Sequence, residues 1–366
     1  MISFELTEEQ RMIVETVEAF ARDEIRPAAR VADEEGRVPP EAVKKIWDLG
    51  LTRGVLPEEF GGDGGQRSAV TGALGGEALA YGDLSIAMHA LAPRLVAFPI
   101  LEMGTAAQRA RYLPEFAKND FRPAAAALME PRHDFDIFSI NTSAIRSGAQ
   151  YILNGEKCYV PLARESDLVM VYASGAPAPG VDAFLVPRGC PGMTISEREK
   201  NMGIKALSTY SLTLKDCAVD ADARLGGEGG INFLRLAGEA KVALAAMAVG
   251  VARAAFEYAR DYALARRAFG KPIATKQAIA FMLAEMALEV DASRLLVWEA
   301  ATRLDKGADA LKECYQAKNY VAAAAVKITD NAVQVLGGHG YIREHPVEMW
   351  LRNARGFASF EGLATV

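Results

Sequence analysis

Cysteine and histidine are scarce in this chain, four of each among 366 residues. Cys158, Cys190, Cys217 and Cys314 lie far apart, no two have CxxC spacing, and the histidines form no ligand pairs with them. A zinc site is therefore not expected, and free buried thiols in a reducing cytoplasm are the simpler reading. Positive charge is also in deficit. The net charge of −6 argues against a nucleic-acid partner, which needs a basic face for phosphates, though a few local Lys and Arg suffice for one phosphorylated small molecule. No uninterrupted apolar run reaches the ~20 residues of a membrane span. The opening MISFELTEEQ lacks both the basic and the apolar regions of a secretory signal. These absences predict a cytoplasmic protein with no metal, no nucleic acid and no membrane span.

What remains is an ordinary globular mix, 51% hydrophobic and 24% charged, in a chain long enough for two or three packed units. Residues 1–120 read as helical. Thr7 and Gln10 have capping-box spacing, with Ile13, Val14, Val17 and Phe20 on one face behind them. Pro39-Pro40 opens a further short helix that Gly50 ends, and the glycines of Pro57 to Gly65 mark a loop. Over 121–228 the period shortens. Tyr151 to Leu153, Val169 to Tyr172, Ala183 to Val186 and Ser211 to Leu214 are short apolar or alternating runs. Asn154-Gly155, Ala176-Pro177 and Pro191-Gly192 separate them, which suggests a compact antiparallel β unit. Over 229–366 helical spacing returns, with Ile279, Met286 and Val290 and then Leu311, Tyr315 and Val326 predicting a helical bundle. The expected fold is mainly α with a central β domain.

Four segments carry a resemblance. They are Tyr262 to Met286 (YALARRAFGKPIATKQAIAFMLAEM), Gln334 to Tyr341 (QVLGGHGY) with the later Phe360-Glu361-Gly362, Met129-Glu130-Pro131 with Tyr151 to Lys157 (YILNGEK), and Asn201 to Thr209 (NMGIKALST). Together these segments cover nearly the whole chain in the right order along it, and on them the chain resembles the acyl-CoA dehydrogenase family. The resemblance implies an N-terminal helical domain, a small β-barrel and a C-terminal four-helix bundle. It also implies FAD, whose ADP half would be held by Arg266, Phe269, Gln277, Gln334, Gly337 and Gly338 across a dimer interface, hence at least a homodimer. The residue types suit that role. A guanidinium can grip a diphosphate with two bonds, and glycines at a helix end let backbone approach a ligand closely. Glu361 matches the family's catalytic base, which removes the α-proton of an acyl-CoA thioester while a hydride leaves the β-carbon for the flavin. Burial beside an apolar acyl chain would raise such a carboxylate toward the basicity this step needs. An electron-transfer flavoprotein is the implied acceptor.

The pattern breaks around the flavin ring. Where the family has Gly-x-Gly-Ser-Asp after Glu-Pro, this chain has Arg132-His133-Asp134-Phe135-Asp136, and Met129 replaces a ring-bonding Thr or Ser. Tyr159 stands where the family has Trp and can still stack on a ring. Pro161 replaces a Thr and has neither hydroxyl nor N–H. Each lost neutral hydrogen bond is worth on the order of 1 kcal/mol. Near the substrate, Lys241 stands for the Arg of the family's Asp-x-x-Arg, Gly238 for its Asp, and Leu363 follows the Glu-Gly pair in place of Thr. Arg94, with His89 on the same run, is a candidate partner for a carboxylate tail, weighed against a plain surface or interface charge. Two functions follow. One is an FAD-dependent acyl-CoA dehydrogenase forming 2,3-enoyl-CoA. The other is a weakly active or inactive partner of a homologous chain in a heteromer, supplying ADP contacts. Different flavin chemistry, on a nitroalkane or amine, is disfavoured by Glu rather than Asp at position 361.

Overall fold

The computed structural model describes residues 5–175 and 180–366, so Met1 to Phe4 and the expected break at Ala176-Pro177 lie outside the described residues. The chain opens with helices α1 (Glu8–Phe20), α2 (Arg26–Glu35), α3 (Pro40–Asp48), α4 (Ala69–Gly82), α5 (Leu84–Leu91), α6 (Arg94–Met103) and α7 (Ala106–Phe116). The Thr7 side chain accepts the Gln10 N–H while the Gln10 side chain accepts the Thr7 N–H, the reciprocal box that starts α1. One π-helical turn, Ala21–Ile25, carries α1 into α2. Two stretches, Leu84–Met103 and Phe233–Ala265, are long and apolar enough to cross a bilayer, but 89% and 78% of their apolar windows are buried inside the fold. They are core helices.

Strands β1 (Ala125–Ala127), β2 (Ser143–Ser147), β3 (Gln150–Pro161), β4 (Leu168–Ser174), β5 (Val181–Pro187), β6 (Met193–Arg198) and β7 (Thr209–Asp220) form one curled sheet. Its order is β1-β4-β2-β3-β7-β6, with β5 on β4. The sheet is mixed where an antiparallel unit is expected. β1 runs parallel to β4, because it arrives from the N-terminal helices and β4 returns only after the β2–β3 hairpin. Asn154-Gly155, expected as a separator, lies inside β3. There the pairing with β7 shifts register between Leu153 and Gly155, so the Asn-Gly signal marks a bulge instead of a turn. Thr142 on the neighbouring segment comes so close that a Cβ at Gly155 would sit 2.5 Å from its Oγ1. Two of the scattered cysteines meet here, with Cys190 and Cys217 Sγ atoms 3.5 Å apart.

The chain ends in α8 (Phe233–Ala265), α9 (Gln277–Asp305), α10 (Leu311–Leu336), α11 (Gly338–Tyr341) and α12 (Val347–Ala354). Three long helices make the core of the bundle, with α4 packed against α8 and α9, and α12 against α10 and α8. Gly238 of α8 faces Leu304 of α9 and Cys314 of α10, while Tyr262 of α8 bonds His339 beyond α10. The start of α8, the end of α9 and the start of α10 thus share one end of the bundle. The end of α8, the start of α9 and the end of α10 share the other.

Candidate active site

Glu361 follows α12 and a short 3-10 turn, and Gly362 at φ 65 turns the chain immediately after it. Its carboxylate is held at both oxygens. Lys241 of α8 donates to Oε2 at 2.9 Å and Lys318 of α10 donates to Oε1 at 3.0 Å. Both lysine side chains are almost wholly buried, at 1% and 5% exposure, against 18% for Glu361. The expected dry apolar setting of the carboxylate is therefore replaced, in this state, by a two-ammonium clamp. Lys241 also lies 3.9 Å from the centre of the Tyr315 ring. Burial and the charge of Glu361 push the Tyr315 phenol up to about 12. Burial lowers Lys241 from its ordinary value, with Glu361 opposing.

Beside this cluster lies an apolar cavity of about 30 Å³, walled by Leu95, Leu128, Tyr172, Phe233, Ala240 and Gly362. Phe233, Leu236, Ala237 and Ala240 recur at three- and four-residue spacing on α8 and line it. Lys241, four residues after Ala237, extends the same face. The segment 363–366 is buried too. Arg67 donates to the Val366 carbonyl and pairs with Glu102 and Glu239.

The ring of Phe360, the residue before Glu361, stands 6.4 Å from that of Tyr159. Tyr159 occupies an irregularity of β3, where pairing with β7 shifts between Lys157 and Val160 and its own φ is 52. The strand's donors are already used. Cys158 N–H goes to the Met129 carbonyl, Tyr159 N–H to Glu199, Leu162 N–H to Ser208, and Pro161 has none. Met129 is buried. Phe135 is half-buried, with the Arg132 guanidinium 5.7 Å from its ring.

Arg94 is buried, not a surface charge. It donates to the Leu51 carbonyl, joins no ion pair among the described residues, leaves its Nε without a partner, and is pushed down to about 9 by burial. His89 stacks on Phe121 and is pushed down to about 4, again by burial.

Arg266, Phe269, Gln277, Gln334, Gly337 and Gly338 gather at the other end of the bundle, all exposed. Arg266 caps the end of α8 and Gln277 starts α9. Gly337, at φ 59, ends α10, and nothing lies within 4 Å of where a Cβ would stand on Gly337 or Gly338. Such open backbone beside a guanidinium, two amides and a ring 94% exposed suits the diphosphate and adenosine of FAD. Lys241 lies in α8 and Arg266 caps its end, 25 positions on, so about 37 Å separates the two groups along the helix.

Family models for the acyl-CoA dehydrogenase N-terminal, middle and C-terminal domains match residues 7–120, 125–217 and 228–366. The chain is 35% identical to the short-chain specific mitochondrial acyl-CoA dehydrogenase of Homo sapiens, over 100% of this chain and 89% of that protein. It is 37% identical to cyclohex-1-ene-1-carbonyl-CoA dehydrogenase of Syntrophus aciditrophicus, over 96% and 86%. Among solved structures, butyryl-CoA dehydrogenase from Megasphaera elsdenii superposes with a TM-score of 0.88 at 30% identity, covering 100% of this chain and 96% of that one. The chain belongs to the acyl-CoA dehydrogenase family. Within an acyl-CoA dehydrogenase fold, Lys318 and the apolar face of α8 went unread in the sequence, and Tyr315 was read only as part of the bundle's helical spacing. Lys318 had a signal. It interrupts the buried stripe Cys314, Ala317, Val321 on α10, and a charge in such a stripe needs a partner.

Proposed function

We propose that this chain catalyses FAD-dependent α,β-dehydrogenation of a short acyl-CoA thioester to the 2,3-enoyl-CoA, with Glu361 as the base. The observation that carries the reading is the seating of Glu361 beside a small apolar cavity, whose wall includes its own neighbour Gly362. Tyr172 and Phe233 stand in the cavity's wall, and the small acyl group is taken from the short-chain and butyryl-CoA enzymes that the chain resembles.

The division of labour follows from the chain's own residues. The apolar face of α8 excludes water from the acyl group, and Glu361 takes the α-proton from its α-carbon. FAD, when bound, supplies the acceptor for the hydride from the β-carbon. Tyr159 offers a flat face for a ring to stack on. With the strand's N–H groups engaged elsewhere, stacking would carry more of the ring binding than strand hydrogen bonds. The ADP contacts stand about 37 Å from the base along α8, so the ones completing a given site belong to a second chain. An electron-transfer flavoprotein would then reoxidise the cofactor.

The test is turnover of butyryl-CoA with an artificial electron acceptor by the FAD-loaded protein and its Glu361→Gln variant. Loss of at least about a thousandfold is expected, and unchanged turnover would remove Glu361 from the base role.

The engaged donors of β3 favour a second reading, in which this chain is the ADP-supplying partner of a homologous, active chain. It requires protein purified alone to be colourless and to gain flavin only on co-expression with that partner. A visible absorption spectrum separates the two readings.

A further inference from the structure

Glu361 is bonded to two ammonium groups, and those two groups are attached differently. Lys318 donates to Glu361 Oε1 and reaches the Ala358 carbonyl at 3.4 Å, so both of its partners belong to the segment that carries the carboxylate. Lys241 lies on a different helix, holds only Oε2 of that segment, and already faces a second cation acceptor, the Tyr315 ring. One lysine is tied to the segment. The other can let go.

We propose that Lys318 is the positioning residue of this site and Lys241 its latch: Glu361 stays anchored to Lys318 while its second oxygen leaves Lys241 to face the substrate. The inference rests on Glu361 being the base. A carboxylate bonded to two ammoniums is a poor proton acceptor, and one with no cation nearby would protonate beside an apolar acyl chain. Keeping one lysine leaves a countercharge on one oxygen and frees the other. Lys241 continues the α8 face that lines the cavity, so the freed oxygen is the one on the substrate side. Its ammonium keeps the π-face of Tyr315 when the carboxylate turns away.

The groups facing Glu361 leave little else to titrate with it. They are Lys241 from α8, and Lys318 and Tyr315 from α10, with Cys314 of α10 acting on Lys241 and Asp136 of the β1–β2 connection acting on Tyr315. Burial pushes the Cys314 thiol and the Tyr315 phenol each up to about 12. Neither changes charge over the range in which the enzyme would be assayed.

The experiment compares wild type with Lys318→Met and Lys318→Arg, each FAD-loaded, following kcat/KM for butyryl-CoA against pH. In Lys318→Met the acid limb should move up by about one to three pH units, with turnover near neutral pH falling at least about tenfold. Lys318→Arg should return the limb to within about half a unit, an outcome that a merely structural lysine would not predict. Lys318→Gln replaces the Met variant if that one fails to fold, as judged by melting and flavin content. An unmoved acid limb overturns the proposal, and so does an arginine variant that behaves like methionine.

A second readout needs no turnover. Carbon-13 resonances of labelled glutamate carboxyls, with Glu361 identified by its loss in Glu361→Gln, are titrated in wild type and Lys318→Met. A higher midpoint in the variant supports the anchor even if no acyl-CoA is oxidised, in which case the dehydrogenase reading fails and the clamp stands. An unchanged midpoint in an active enzyme overturns the clamp alone.

Discussion

Lys157 has no exposed surface, and its ammonium lies 3.1 Å from Glu130 Oε1. This pair joins the two halves of a motif, Met129-Glu130-Pro131 and Tyr151 to Lys157, that the sequence shows only as separate runs. Glu130 also accepts from the N–H groups of Asn141 and Thr142 and from the Thr142 hydroxyl, and Lys157 donates to the Leu128 carbonyl. Glu130→Gln would leave the ammonium buried beside a neutral amide. A loss of about 3–5 kcal/mol is expected in urea unfolding. Adding Lys157→Met should recover part of it. A single variant within about 0.5 kcal/mol of wild type would show that the pair does not hold the sheet.

The same carboxylate sets an acid limit. Burial alone would raise Glu130, but Lys157 and the three hydrogen bonds outweigh it and hold the group at about 2, against an ordinary 4.5. Its folded value is below its unfolded one, so the stabilisation is fully present above pH 4.5 and is lost as pH falls toward 2. The amount is roughly 3 kcal/mol. Lys157 works in another window. Burial pushes it down to about 8 from 10.5, so its protonated form costs stability that returns as pH rises between those values. Urea midpoints at pH 6, 4 and 3 check the acid side. Wild type should lose stability more steeply than Glu130→Gln, and parallel curves would refute the assignment.

Helix packing supplies a third prediction. At Gly250, in the middle of α8, an added Cβ would stand 2.2 Å from the Glu77 carbonyl oxygen and 2.9 Å from the Tyr81 nitrogen, both backbone atoms of α4. Backbone cannot swing aside as a side chain can. Gly250→Ala gains up to about 1 kcal/mol of helix propensity and loses about 1–3 kcal/mol to overpacking. A lower melting temperature is expected, with Gly250→Val worse. A more stable alanine variant would mean that α4 and α8 can separate at little cost.

The legibility of these features in the sequence follows a physical rule. Local chemistry could be read. The Thr7 capping box, the helix opened at Pro40, the strands at Val169 to Tyr172 and Ala183 to Val186, and the glycine that ends α10 each depend on neighbours a few residues away. Long-range pairing could not. Asn154-Gly155 has the composition of a turn, and only the crowding by Thr142 and the pairing of β3 with β7 show it to be a bulge. The motif singles out Glu361, but its two lysines are 120 and 43 residues away, and although each can be noticed on its own helix, no local pattern shows that they meet this carboxylate. Arg94 is the converse case. A charged residue ahead of a hydrophobic run suggests a surface, yet the fold buries it with no carboxylate partner among the described residues.

The distance along α8 leads to the last prediction. Lys241 and Glu361 occupy one end of the bundle, while Arg266 and its companions occupy the other, about 37 Å away. If each site draws its base from one chain and its ADP contacts from another, defects at the two ends should complement. Arg266→Glu keeps the base but spoils the partner's cofactor contacts, and Glu361→Gln does the reverse. Neither should turn over butyryl-CoA alone. Mixed by co-expression or by unfolding and refolding together, random pairing makes about half the dimers mixed, each with one site built from two intact halves. Activity should then return to about a quarter of wild type, accompanied by flavin uptake in the mixed species. Contacts made within a single chain would leave the mixture as inactive as its components, because every copy would carry one fatal defect in its own site.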